Sequence, residues 1–81
     1  MSDRSRESRL IRREVASEAI ATYIGRERTK EDVKRFRALM KDLFDKGMTN
    51  HDLDVVTQML AKGKDADYQG KVQAVRRMFD V

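Results

Sequence analysis

The stretch TKEDVKRFRALMKDLFDKG, residues 29–47, carries the start, the stripe and the stop of one helix. Thr29 followed three positions later by Asp32 is a capping box that uses Asp where Glu is usual, so the hydroxyl and the carboxylate can satisfy amides at the helix start. Val33, Phe36, Leu39, Met40, Leu43 and Phe44 then recur at spacings of three and four, an apolar arc with the 3.6-residue period. Gly47 closes it, because glycine alone enters the left-handed conformation without a Cβ penalty. The stretch therefore predicts a helix over 30–46 with one face in a core.

Reading toward the C-terminus, TNHD (49–52) repeats the device with Thr49 and Asp52. It opens a third helix over 50–62, closed by Gly63, with Leu53, Val56, Met59 and Leu60 inward. DADYQG (65–70) offers Asp65 or Asp67 as cap for a fourth helix over about 67–79, where Tyr68, Val72, Val75 and Phe79 step by four, three and four. Gly70 near its start weakens that helix. Toward the N-terminus, Ser2 or Asp3 can cap a first helix over about 3–24, with Gly25 as a left-handed closing residue. Its second half turns Val15, Ala16, Ala19, Ile20, Tyr23 and Ile24 to one side. No strand-like alternation, repeat or low-complexity tract interrupts these patterns. The expected fold is all-α, a single small four-helix domain over 1–81 with a basic N-terminal extension of the first helix, an arm over 1–13.

The composition narrows the chemistry. With no Cys and the single His51, neither a disulfide frame nor a zinc site can be assembled. No Ser-His-Asp set, carboxylate pair or glycine-rich phosphate cradle is present, and 81 residues leave little room for a dry cleft. The chain is expected to be no enzyme and to need no cofactor or metal. MSDRSRES lacks an apolar h-region, and no apolar run nears the roughly 18 residues of a membrane span, so a cytoplasmic protein with no membrane partner is expected.

Charge is the informative signal. Of the net +4, residues 1–14 carry +2 and residues 29–47 carry +2. Continuing the core side of the first helix back toward the N-terminus, at about 100° per residue, lands on Arg6, Arg9, Arg12 and Arg13 instead of further apolar residues. Several unpaired arginines will not be buried together. With Arg4 they form an all-Arg arm, and guanidinium suits phosphate because its planar fork donates two parallel hydrogen bonds and keeps its charge. Leu10 and Ile11 point elsewhere and suit a second copy, so a homodimer is expected. On the second helix Lys30, Lys34, Arg37 and Lys41 fall within about 60° of one another, beside the apolar arc. The plainer account of these charges is a solvated face steadied by neighbours such as Glu31 and Arg35.

LMKDLFDKGMTNHDLDVVTQ (39–58) resembles the helix-turn-helix motif of repressors, with Gly47 at the turn and Leu53 and Val56 at later apolar positions. The resemblance implies a base-reading face of Asn50, His51, Asp54, Thr57 and Gln58 on the third helix. The stretch departs from the motif at Leu43, where a small residue is usual, and at Lys46, where an apolar one is. Asp52 and Asp54 also repel phosphate. A plain helical hairpin is the stronger expectation.

These features favour a small nucleic-acid-binding regulatory or accessory protein. It would contact DNA backbone through Arg4, Arg6, Arg9, Arg12 and Arg13, with Lys30, Lys34, Arg37 and Lys41 as a second surface. The alternative is a helical adaptor or inhibitor that sets the same charges against an acidic protein partner. All five aromatics, Tyr23, Phe36, Phe44, Tyr68 and Phe79, fall at core positions, which disfavours stacking on single strands.

Overall fold

The computed structural model describes residues 2–79, with side chains from Arg6 onward. It holds four helices in sequence: α1 (Ser2–Ile24), α2 (Lys30–Asp45), α3 (Asn50–Ala61) and α4 (Ala66–Met78). Each boundary lies within one residue of the expected one. Local chemistry explains why. Thr29 and Thr49 both cap as predicted, each hydroxyl accepting from the amide three residues on while the Asp carboxylate accepts from the Thr amide. For α4 the cap is Asp65, whose Oδ1 accepts the Tyr68 amide at 2.8 Å, while Asp67 pairs with Lys71 inside the first turn. The starting cap expected at Ser2 or Asp3 lies outside the described side chains.

The stops divide. Gly47 takes φ +112°, and the Met48 amide donates to Leu43 O at 2.9 Å while the Gly47 amide donates to Phe44 O at 3.0 Å. That is a Schellman closure, and its apolar partner Met48, which carries no periodic signal, is buried in the core. Gly63 is also left-handed at φ +73°. Gly25 is not: its φ is not positive and its amide donates to Ala21 O at 3.0 Å, continuing the helical pattern for one more residue. The left-handed closure expected there is corrected accordingly; α1 unwinds without it because the chain leaves through an exposed loop.

α1 is the central strut, packing against α2, α3 and α4, and α3 packs on α4. Ala16, Ile20 and Ile24 from α1 meet Phe36, Met40 and Leu43 from α2, Leu53 and Val56 from α3, and Val72 and Val75 from α4. The aromatics pin the free side of α2: Tyr23 stacks on Phe36 with ring centres 4.1 Å apart, and Phe79, just past α4, sets its ring edge toward Phe36 at 5.9 Å. Four positions depart from their expected faces: Val15 and Leu39, expected in the core, are exposed on the open side between α1 and α2, and on α3 Met59 and Thr57 exchange roles. Met59 is 71% exposed, because α4 covers the adjacent arc of α3 instead. Thr57, expected on the outward face, is 1% exposed, its hydroxyl donating back to Leu53 O at 2.9 Å, the form in which a hydroxyl can enter a helical core.

Candidate functional site

The α2 stripe is presented as the spacing implies. Lys30, Lys34, Arg37 and Lys41 are all exposed, and none of the six ion pairs among the described side chains uses any of them. Three of the four acids on the same helix are committed elsewhere: Glu31 lies 4.0 Å from Arg35, Asp42 takes Lys46 at 2.9 Å, and Asp32 takes Arg26 at 2.9 Å, while Asp45 is exposed at the helix end. Asp32 is held below the usual carboxylate range, chiefly by the Thr29 amide and then by the Thr29 hydroxyl and Arg26. At the end of the stripe Lys41 borders a shallow recess with Phe44, Asn50 and Phe79.

The N-terminal arginines do not behave as one group. Residues 6–11 are all exposed, whereas Arg12 and Arg13 are half-buried. Arg12 lays its guanidinium over Gly47, and its Nε is buried with no partner among the described residues. That places a cation beside the last carbonyls of α2, where the helix dipole is negative. Arg13 Nε donates to Asp52 Oδ1 at 2.6 Å. Asp52 is the cap acid of α3, and its Oδ2 accepts the Thr49 amide at 2.9 Å, so one buried carboxylate joins α1 to the start of α3. Burial alone would raise the Asp52 pKa; hydrogen bonds from the Thr49 amide, Arg13 and the Thr49 hydroxyl outweigh it, and the group is lowered. The arm that stands clear therefore ends at Ile11, not at Arg13. Since α2 turns away at Gly47, the ten residues of α1 before Arg12 extend about 15 Å beyond it. Arg6 and Arg9 lie on this exposed part; Arg4 lies outside the described side chains.

The would-be reading face on α3 is altered too. Asn50 and His51 are exposed, but Asp54 is engaged by Arg76 at 2.7 Å and by Gln58 at 2.9 Å, and Thr57 is internal. The backbones of α2 and α3 do not pack on one another. Their junction is a corner between two helices that each lean on α1 or α4, so the helix-turn-helix resemblance stops at the turn.

One feature went unread in the sequence. Between α1 and α2 runs an open groove of about 380 Å³, floored by Val15, Ala19, Phe36 and Leu39, with Arg26, Arg28 and Arg35 among its lining. Arg28 also donates to Tyr23 O at 3.1 Å and lies over the Tyr23 ring at 4.9 Å. The GRERT segment (25–29) is arginine-rich, but only the α1–α2 hairpin brings it beside Arg35 and the apolar floor.

No protein-family model matches the chain, and no curated protein or solved structure matches it either. Among the described residues no helix is long and apolar enough to cross a membrane.

Proposed function

We propose that the chain is a small nucleic-acid-binding protein of regulatory or accessory kind that grips phosphate backbone through the α2 stripe, with Arg6 and Arg9 of the arm as outlying contacts. The observation that carries this reading is the stripe itself: Lys30, Lys34, Arg37 and Lys41 stay exposed along one helix face, and none of them enters an ion pair among the described side chains. The eleven helical rises from Lys30 to Lys41 along α2 span about 16 Å, enough to face successive phosphates of a duplex strand. Arg12 and Arg13 drop out of the contact set, since their guanidinium groups serve the turn and the cap of α3.

Six backbone contacts give a slope of log affinity against log salt of about −5, and hence a loss on the order of a thousandfold between about 50 and 200 mM salt. The test is a titration of random duplex at several salt concentrations. The triple variant Lys34→Ala, Arg37→Ala, Lys41→Ala should bind more weakly and reduce the slope by about 2.7. No binding of the wild-type chain at low salt would reject the reading and turn the same surface toward an acidic protein partner.

A further inference from the structure

Lys41, the last cation of the α2 stripe, also borders the recess at the end of that stripe. The recess holds about 310 Å³, at the lower end of the roughly 300–1,000 Å³ of small-ligand sites, and its other walls are Phe44, Phe79 and Asn50. Neither ring is fully withdrawn into the core: of the five aromatics only Phe36 is buried, while Phe44 and Phe79 are half-buried. Their ring centres lie 6.1 Å apart with planes tilted by 46°, too close for a third flat ring to enter between them. What they offer is their outer surface, toward the recess. Asn50 is exposed at the first position of α3 and stands outside the cap, which Thr49 and Asp52 complete. Its amide both donates and accepts, as the edge of a nucleobase does. Asp45, one turn beyond Lys41, is exposed but does not line the recess, so no carboxylate stands among the lining residues.

We propose that this recess takes one unpaired base of the bound DNA, which makes a duplex end or junction with a single-stranded overhang the preferred partner. The assignment rests on the stripe being a phosphate-binding surface. A strand whose phosphates follow Lys30, Lys34, Arg37 and Lys41 brings the nucleoside beside Lys41 to the mouth of the recess. A base still paired in the duplex leaves its stack only at an unstacking cost, whereas an unpaired base enters at little cost. Inside, Phe44 and Phe79 replace the missing stacking neighbour, Asn50 meets the hydrogen-bonding edge, and Lys41 holds the adjoining phosphate. With a single amide the recess ranks the four bases weakly; it reads the absence of a partner strand instead of a sequence.

The experiment compares two random-sequence duplexes at one low salt concentration, one blunt and one with a short overhang carrying the fluorescent base 2-aminopurine. The full chain should bind the overhang duplex about tenfold more tightly, the gain of one stacked base, and should quench the 2-aminopurine. Asn50→Ala and Phe79→Leu, each checked for unchanged helical circular dichroism, should bring the ratio of the two affinities toward one. Lys34→Ala, on the stripe away from the recess, should weaken both duplexes and leave the ratio as it was. Equal affinities in a chain that binds both duplexes, unquenched fluorescence, or a preference that survives Asn50→Ala and Phe79→Leu would overturn the recess assignment and leave the stripe intact. Failure to bind either duplex would overturn both readings.

Discussion

Two starts of helices in this molecule carry the same device and have different consequences. At α2, Thr29 and Asp32 cap an exposed turn, and the acid takes Arg26, six residues away. At α3, Thr49 and Asp52 make the same hydrogen bonds, yet the acid is buried and takes Arg13, thirty-nine residues away. The bond lengths barely differ. What differs is the distance in sequence that the carboxylate spans and how much water remains around it. The first box steadies one helix; the second fixes the start of α3 to α1 and draws Arg13 from the surface.

That contrast can be broken by substitution, with stability read by denaturant or thermal unfolding. The largest effect is expected from Asp52→Ala, about 2–4 kcal/mol, because it removes a cap and leaves a half-buried guanidinium without its counter-ion. Arg13→Ala keeps the cap and should cost about 1–2 kcal/mol. Gly47→Ala, where a Cβ would only make ordinary contact with Arg12 but the backbone stays at φ +112°, should cost about 1 kcal/mol. Asp32→Ala should give the smallest loss of the four, since its carboxylate is less buried than that of Asp52 and its partner Arg26 is exposed. A stability difference between the two Asp variants too small to resolve would mean that Arg13 adds nothing to the α3 cap.

Acid sharpens the comparison further. Because the folded-state pKa of Asp52 is lowered, its contribution is complete above its unfolded value near 3.9 and is lost as pH falls through the folded value. The stability gap between wild type and Asp52→Asn should accordingly be constant near neutrality and close in acid. The two halves of the arginine series should separate in the same way. Arg6→Ala with Arg9→Ala should leave stability unchanged and lower the salt slope of duplex binding by about 2, whereas Arg13→Ala should do the reverse.

The helices, their boundaries and the caps at Thr29 and Thr49 were legible because each depends on residues within one turn of one another. The α2 stripe was legible for the same reason: a run at spacings of four, three and four shares a face of any helix. Met48 and Thr57 were not, since one is buried by a closing turn and the other by a neighbouring helix, and neither carries a periodic mark. The fate of Arg12 and Arg13 was illegible as well; from the sequence they continue a line of four like arginines.

What the chain's sequence by itself determined is therefore everything set by local hydrogen bonding and helical period: four helices, two capping boxes, an apolar arc on each and an unbroken basic line on α2. Only the tertiary structure decided which cations remain available. An ion pair such as Arg13–Asp52 depends on where α1 and α3 come to rest, and desolvation, which makes that pair structural instead of a binding surface, exists only once the helices have closed around it.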